Sequence, residues 1–177
     1  MVSFLASTAL LAQTSPNQPP PGAEKVLAGA KTKAAAEHKI IFLHFGASWC
    51  GWCKRLDKFL EAPETKPVLE KFFVPVELVV MENPQNKKLE NPDADALMKQ
   101  LGGANSGLPF FAFLDADGKR IVNSILPVAS KPAGTTIGYP VQPEEIAWFT
   151  SMLKKALPTI TADEIKTIVD WLKSHPN

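Results

Sequence analysis

The stretch Trp49-Cys50-Gly51-Trp52-Cys53-Lys54 decides the predicted fold, because it contains both cysteines of the protein. It directly follows a largely apolar run, Ile40-Ile41-Phe42-Leu43-His44-Phe45, which predicts a buried strand. A strand that leads straight into two cysteines separated by two residues is typical of a redox pair more than of a metal site. We therefore interpret the rest of the chain as the scaffold that presents these two sulfur atoms.

Length and composition predict one globular domain of ordinary size. The chain has 177 residues, of which 45% are hydrophobic and 21% charged, and its formal net charge is +1. No basic block or stripe is present in the sequence, so nothing indicates nucleic-acid binding. No apolar run reaches the roughly 18 residues of a membrane-spanning helix, so we expect no stable membrane insertion of the mature protein.

The N-terminus has features of a targeting segment. Residues 2–12 are apolar with small side chains, and a polar, proline-rich tract follows over residues 13–21. This pattern is typical of a secretory signal peptide, although no Lys or Arg precedes the apolar run. We expect residues 1–22 to be a signal-like or disordered segment with a linker, and residues 23–177 to form the folded domain. If this segment is a signal peptide, the protein is periplasmic or secreted. If it is not, the protein is cytoplasmic.

Hydrophobic spacing predicts alternating helices and strands up to Gly103. After the motif, Cys53, Leu56 and Leu60 recur at the spacing of one helical stripe. Asn91-Pro92-Asp93 predicts a helix start with Asn as the cap and Pro in the first turn. The predicted elements are helices over residues 23–39, from the cysteine motif onwards, around 68–72 and over 91–103, strands over 40–45 and 76–81, and a polar loop over 82–90.

The second half of the chain predicts a hairpin followed by two helices. Turn residues at Asp115-Ala116-Asp117-Gly118 separate two strand-like segments. Thr161-Ala162-Asp163-Glu164 is a capping box that predicts the start of the last helix. The predicted segments are strands over residues 108–114 and 119–125, a short extended piece over 136–139 and a helix over 143–157.

This order of elements resembles the thioredoxin fold, an α/β fold with a central mixed sheet flanked by helices. The segment Phe45-Gly46-Ala47-Ser48-Trp49-Cys50-Gly51-Trp52-Cys53-Lys54 is similar to the active-site segment of thioredoxins, and Gly107-Leu108-Pro109 is similar to their cis-proline loop. The resemblance covers residues 23–157 and is greatest to exported bacterial thiol:disulfide interchange proteins. The last helix, over residues 161–175, is an addition to the minimal fold.

Two departures from the family pattern stand out. The residues between the cysteines are Gly51-Trp52, where thioredoxins have Gly-Pro. His44 occupies the position of a buried Asp of the family, and Glu77 aligns with its partner Lys. The resemblance therefore implies that the acid–base pair of the family is replaced here by His44 and Glu77 with their roles exchanged.

The two cysteines predict thiol–disulfide exchange without a cofactor, because the pair is itself the redox centre. Cys50 is expected in the first turn of its helix, where free amide groups and the helix dipole stabilise an exposed thiolate. Cys53, one turn later, is expected to face inward and to attack the bond between Cys50 and the substrate. We therefore assign Cys50 as the nucleophile and Cys53 as the resolving residue.

His44 is a candidate proton acceptor for Cys53, with Glu77 holding the imidazole in the required tautomer. The alternative is a core histidine that bonds to backbone or to Glu77 without a catalytic part. Both interpretations remain open from the sequence.

A substrate-binding role is predicted for four residues around the cysteines. By resemblance, Pro109 follows a cis peptide bond that leaves the backbone of Leu108 free to pair with an extended substrate segment. The alternative is a trans proline at the start of an edge strand. Trp49 and Trp52 are expected either to form an apolar rim for substrate or to shield Cys50.

The predicted function is that of a thiol:disulfide oxidoreductase, acting as a monomer on protein disulfides or thiols with an unknown redox partner. One alternative is a non-catalytic thioredoxin-fold binding module. Another is a Cu(I)-handling protein, because soft Cu(I) can use two thiolates. A structural zinc site is not expected, since His38, His44 and His175 are the only histidines and no second cysteine pair exists.

Overall fold

The computed structural model describes residues 19–127 and 132–176. The expected signal segment over residues 1–12 and most of the proline-rich tract lie outside these residues. Within the described part, no helix is both long enough and apolar enough to cross a membrane.

A four-stranded mixed sheet forms the centre of the domain, with the strand order β2-β1-β3-β4. Strand β1 pairs with β2 in parallel and with β3 antiparallel, and β3 pairs with β4 antiparallel. The strands are β1 (Ile40–Gly46), β2 (Phe73–Val79), β3 (Phe110–Leu114) and β4 (Arg120–Asn123). The two central strands are those with continuous apolar sequence, as expected for strands that are covered on both faces.

Helices cover both faces of this sheet. They are α1 (Ala23–Glu37), α2 (Gly51–Glu61), α3 (Lys66–Phe72), α4 (Ala94–Met98), α5 (Pro143–Ala156) and α6 (Ala162–Ser174). A 3₁₀-helix over Pro84–Leu89 and a π-helical turn over Lys99–Gly103 flank α4. The described residues therefore have the predicted α/β architecture, including the additional C-terminal helix.

Strand β1 separates two hydrophobic cores, because its successive side chains point to opposite faces. Leu43 and Phe45 belong to the core beneath α1 and α4. Phe42 lies in the opposite core, where α2, α5 and α6 contribute Phe59, Phe149 and Leu172. Both cores exclude water almost completely, so β1 is fixed from two sides where it leads into the cysteine motif.

The sequence prediction was wrong about the start of α4. The helix begins at Ala94, and Asp93 precedes it with a left-handed backbone conformation (φ 65°). Asn91 does not cap this helix, because its side chain accepts a hydrogen bond from Val79 N at 2.8 Å and donates one to Pro21 O at 2.9 Å. Asn91 thus joins the end of β2 to the segment before α1.

The bounds around β2 also differ from the prediction. The strand covers Phe73–Val79 and not residues 76–81, and the predicted polar loop contains the 3₁₀-helix. Pro75 fits within the strand because β2 lies at the edge of the sheet, where a residue without an N–H group is tolerated. The shift places Glu77 near the centre of the strand.

The predictions for the second half of the chain are confirmed. Strands β3 and β4 form a hairpin that is connected by the predicted turn. Ile125 forms a β-bridge with Thr136, which lies in the predicted extended piece. The capping box is present, with Glu164 N donating to Thr161 Oγ1 and Thr161 N donating to Glu164 Oε2. The turn residues and the capping box are local patterns, so they predict these elements correctly without tertiary information.

Replacing Phe149 by alanine should destabilise the domain strongly. This fully buried ring joins α5 to α2 and β3 through Phe59, Phe111 and Phe113, at centroid distances of 5.8, 5.9 and 6.2 Å. We expect the Phe149→Ala variant to lose about 3–5 kcal/mol of unfolding free energy in urea titration. The exposed control Lys155→Ala should stay within about 0.5 kcal/mol of the wild type, and an equal loss in both variants would contradict the assigned role of Phe149.

Candidate active site

The cysteine pair lies where β1 passes into α2. Cys50 is the N-cap residue of α2, and its sulfur accepts a hydrogen bond from Cys53 N at 3.1 Å. The two sulfur atoms are joined in a disulfide, with the Cα atoms 5.3 Å apart. The first turn of α2 contains no acidic residue, so the free amide groups and the helix dipole there favour a negative charge on Cys50 once the pair is reduced.

The expectation that Cys50 is exposed was wrong for the disulfide form. Cys50 is only 3% exposed and Cys53 only 2%, because Ala47 and Leu108 pack against the pair. Leu108 belongs to the loop before β3, so this loop covers the sulfurs in the disulfide form. The sequence could not indicate this contact, because more than 50 residues separate Leu108 from the motif.

A buried carboxylate holds the residues before Cys50 in place. Glu82 accepts hydrogen bonds from Ser48 N at 2.5 Å and from Ser48 Oγ at 2.8 Å, and it is 5% exposed. Trp49 donates from its indole nitrogen to Met81 O at 2.8 Å. The motif is therefore tied to the segment after β2. Sequence analysis missed Glu82, since it lies in a stretch that was predicted as a polar loop and no motif marks it.

Large apolar side chains surround the cysteines at the surface. Among the described residues, the large hydrophobic side chains with substantial exposure are Trp49, Trp52, Met81 and Leu89. Trp49 and Trp52 belong to the motif, Met81 accepts the Trp49 hydrogen bond, and Leu89 lines the cavity beside Cys53. An exposed apolar cluster of this kind is typical of an interaction surface.

A groove of about 380 Å³ lies next to Trp52 and Leu108. Its other wall is formed by the segment between β4 and α5, whose Tyr139 stacks on Trp52 at a centroid distance of 6.4 Å. The Tyr139 hydroxyl donates to His175 O at 2.8 Å, and its ring contacts Trp171 of α6. The C-terminal helix, for which the sequence indicated nothing at the active site, therefore supports one wall of this groove.

The Leu108–Pro109 peptide bond is cis, as the resemblance implied. The carbonyl of Pro109 accepts a hydrogen bond from Thr136 Oγ1 at 3.1 Å, which joins the proline loop to the groove wall. Among the described residues, the main-chain N–H and carbonyl groups of Leu108 have no hydrogen-bond partner. They are free to pair with another chain.

His44 and Glu77 are direct neighbours in the parallel register of β1 and β2. Asp57 of α2 joins them, so that potential ligand atoms of the three residues all lie within 4.8 Å of one another. His44 Nε2 is 4.0 Å from Asp57 Oδ1, and the described residues give the other ring nitrogen, Nδ1, no partner. The sequence-based pairing of His44 with Glu77 is confirmed as a neighbour relation in the sheet, but no hydrogen bond by which Glu77 would fix the imidazole tautomer is present among the described residues. Asp57 was missed, because it carries no motif and reaches the cluster only through the packing of α2.

Glu77 lies closer to Cys53 than the sequence indicated. A methyl group added to Gly46 would be 3.2 Å from Glu77 Oε1 and 3.5 Å from Cys53 Sγ, so the missing side chain leaves these two groups facing one gap. The cavity beside Cys53, of about 290 Å³, is lined by Asp57 and Glu77. His44 lines a separate cavity on the far side of the same two carboxylates.

Comparison with known proteins decides the family. The profile of a family described as thioredoxin-like matches residues 23–116, which is more than half of the chain. The chain belongs to the thioredoxin-like family. Its fold is similar to that of a disulphide isomerase from Xylella fastidiosa Temecula1, with a TM-score of 0.50 and 20% identity over 94% of this chain and 98% of that one.

Two further solved structures are similar to the chain to a lower degree. A DsbH oxidoreductase has a TM-score of 0.44 and 24% identity over 87% of this chain and 96% of that one. The C-terminal domain of DsbD from Neisseria meningitidis, in its oxidised form, has a TM-score of 0.42 and 24% identity over 60% of this chain and 84% of that one. No curated protein matches the chain.

In this thioredoxin-like domain, burial shifts the three titratable side chains of the cluster. It lowers the pKa of His44 to about 4, so the imidazole is neutral at neutral pH. Burial raises the pKa of Glu77, and the nearby Asp57 carboxylate raises it further. The pKa of Asp57 is also raised, by burial and then by Glu61. Of the three, Glu77 is the group whose carboxylate oxygen faces the same gap beside Gly46 as Cys53 Sγ.

The His44 imidazole should make the domain sensitive to acid. Its pKa is about 4 when folded and 6.5 when unfolded, so between these values the unfolded chain binds more protons and stability falls with falling pH. The loss reaches about 3 kcal/mol at most. Asp57 and Glu77 act in the opposite direction, because their raised pKa values let the folded state keep protons that the unfolded chain has lost.

Urea titrations at about pH 7 and about pH 4.5 test this. The His44→Asn variant should lose less unfolding free energy between the two values than the wild type does. The control His175→Gln removes an exposed imidazole and should behave as the wild type. If His44→Asn and wild type lose the same amount, the buried neutral state of His44 is disproved.

Proposed function

We propose that the protein is a thiol:disulfide oxidoreductase that exchanges disulfides with protein substrates through Cys50 and Cys53. The observation that carries the proposal is the disulfide at the N-terminus of α2, packed against Leu108 of the cis-proline loop and bordered by exposed tryptophans. Membership of the thioredoxin-like family supports a redox role. The reaction needs no cofactor, since the cysteine pair carries the two electrons.

The exchange balances as two sulfur-for-sulfur displacements. The reduced Cys50 thiolate attacks one sulfur of a substrate disulfide, forms a mixed disulfide, and releases the other substrate sulfur as a thiolate. Cys53 then loses its proton and attacks Cys50 Sγ, which re-forms the Cys50–Cys53 disulfide and releases the second substrate thiolate. The substrate gains two electrons and the protein loses two, and the same steps in reverse oxidise a dithiol.

Glu77 is the proposed proton acceptor for Cys53. Its carboxylate faces the same gap beside Gly46 as the Cys53 sulfur, and its raised pKa makes it a better base than an ordinary glutamate. The sequence-based alternative, in which His44 accepts the proton, stays a prediction. It requires a group with a pKa of about 4 to act near neutrality.

The proposed substrate is an extended protein segment. The free main-chain groups of Leu108 offer one hydrogen-bonded pairing in β fashion, and the groove beside Trp52 and Tyr139 accommodates a neighbouring apolar side chain. The 3% exposure of Cys50 then requires the substrate to displace Leu108 from the disulfide. Substrate binding and access to the sulfurs are thereby coupled.

We also propose that the protein works outside the cytoplasm, in the periplasm or as a secreted protein. The support is the apolar N-terminal stretch over residues 2–12 together with the redox pair, which suits an oxidising compartment. N-terminal sequencing of protein from a periplasmic fraction tests this: a start after residue 12 supports export, and an intact Met1 in the cytoplasmic fraction contradicts it.

A Cys53→Ser variant should trap the mixed disulfide, because it retains the nucleophile but lacks the resolving thiol. After incubation of the reduced full-length variant with insulin, non-reducing electrophoresis should reveal a disulfide-linked adduct that disappears when dithiothreitol reduces it. The matched control Cys50→Ser should form none. The assigned roles are contradicted if neither variant forms an adduct or if both form it equally. The activity itself is contradicted if the wild-type protein does not catalyse the reduction of insulin by a small thiol.

Glu77→Gln should slow the resolving step by about 100-fold, because it removes the proposed proton acceptor of Cys53. The measurement is the decay rate of a preformed mixed disulfide between Cys50 and a peptide, followed from acidic to alkaline pH. In the wild type this rate should rise as Glu77 ionises, and the rise should vanish in the variant. Other charged groups at the same cavity are Lys54, Asp57 and Glu82.

Two further variants make the test specific. Glu61 lies on α2, as Cys53 does, but does not line the Cys53 cavity. The Glu61→Gln variant should therefore leave the rate of the resolving step unchanged. His44→Asn separates the two candidate bases. A large loss in His44→Asn with none in Glu77→Gln would transfer the role to His44.

A further inference from the structure

The cluster of His44, Asp57 and Glu77 combines three metal-binding groups from three different elements. His44 comes from β1, Glu77 from β2 and Asp57 from α2. One imidazole nitrogen and two carboxylate oxygens lie within 4.8 Å of one another. The sheet register fixes His44 beside Glu77, and the packing of α2 fixes Asp57. The arrangement is therefore set by the fold and not by a flexible surface segment.

His44 supplies a second, independent observation. The residue is 4% exposed, and its buried Nδ1 atom has no hydrogen-bond partner among the described residues. Its Nε2 atom, which faces the cluster, is 4.0 Å from Asp57 Oδ1, too far for a hydrogen bond. A buried imidazole without hydrogen bonds is rare, and a missing water molecule or ion is among the ordinary explanations. An ion in the cluster would give Nε2 the partner that it lacks.

We propose that His44, Asp57 and Glu77 bind one divalent first-row transition-metal ion, of which Zn²⁺ is the best match. One imidazole and two carboxylates, with water in the remaining position, form a ligand set that suits Zn²⁺ better than Mg²⁺ or Ca²⁺, which prefer oxygen ligands alone. This site is distinct from the cysteine pair and does not depend on the proposed redox function.

The geometry is compatible with this ion after a small movement. Bonds of 2.0–2.2 Å in a tetrahedral site place ligand atoms roughly 3.4 Å apart, so ligand atoms that now lie up to 4.8 Å apart must approach by at most about 1.4 Å. Asp57 is half-buried and Glu77 is exposed, so both carboxylates can rotate towards the ion. The His44 ring is held by its burial and by an edge-on contact with Phe42 at 6.4 Å. A rigid imidazole with two adjustable carboxylates can close on the ion from the solvent side.

Charge at the cluster favours a cation. Burial raises the pKa of both carboxyl groups, with a further contribution from Glu61 at Asp57 and from Asp57 at Glu77, and a divalent ion between them offsets this cost of bringing the two negative charges together. Glu61 lines the cavity that contains His44, and Lys54 lines the cavity on the Cys53 side. A bound ion competes with a proton for Glu77, so under the proposed mechanism it would remove the base that serves Cys53.

Calorimetric titration of the oxidised full-length protein with ZnCl₂ at neutral pH tests the site. The disulfide must be intact, because it prevents the cysteines from acting as ligands. We expect one Zn²⁺ per chain, Co²⁺ competing for the same site with a visible absorption band, and no competition from Mg²⁺. Asp57→Asn and Glu77→Gln should each lower the affinity about tenfold or more. His44→Asn should do the same if near-UV circular dichroism confirms that it folds.

Controls distinguish this site from general attraction to acidic or imidazole groups. His175→Gln removes an exposed imidazole, and Glu61→Gln removes a nearby carboxylate outside the cluster, so both should bind within about threefold of the wild type. The proposal is overturned if no Zn²⁺ binds below about 1 mM, if Mg²⁺ competes equally, or if Asp57→Asn and Glu77→Gln bind as the wild type does. Binding that disappears only in His175→Gln would also overturn it.

Discussion

The burial of β1 on both faces is the constraint on which the rest of the structure depends. Its side chains alternate between the core under α1 and α4 and the core under α2 and α5, so the strand has no freedom to shift its register. Its last residue, Gly46, therefore has a fixed position beneath α2. This places Cys50 at the N-terminus of that helix and Cys53 against the end of the strand. The position of both sulfurs follows from the packing of one strand.

Contacts from distant parts of the chain then complete the surroundings of the sulfurs. Glu82 ties Ser48 to the segment after β2, and Leu108 covers the disulfide from the loop before β3. On the other side, α6 supports Tyr139, which stacks on Trp52. The aromatic surface beside the cysteines is thus supported by a helix that the minimal thioredoxin fold does not require. Trp52, between the cysteines, is linked to the C-terminal helix indirectly, through Tyr139, whose ring contacts Trp171.

The polar cluster behind Cys53 is the main chemical departure from the expected pattern. A buried histidine with its pKa lowered to about 4 occupies the central strand, and two carboxylates with raised pKa values lie between it and the cavity of the resolving cysteine. The exchange of an acid for a histidine on β1 is therefore accompanied by acids on β2 and α2. The carboxylate that faces the gap beside Cys53 belongs to the neighbouring strand, and His44 Nδ1 has no hydrogen-bond partner in the described residues.

By itself, the sequence determined the features that depend on neighbouring residues. The cysteine motif, the apolar central strands, the hairpin turn and the capping box of α6 each have a local pattern, because periodicity and capping act over a few residues. The predicted start of α4 was wrong, because the Asn91 side chain accepts a tertiary hydrogen bond from Val79 N and does not cap the helix as its local pattern indicated. Only the tertiary structure decided that Leu108 buries Cys50, that Glu82 holds Ser48, and that Asp57 joins His44 and Glu77. These contacts join segments far apart in the chain, and no local rule of spacing or composition specifies which of many polar side chains the packed sheet and helices bring together.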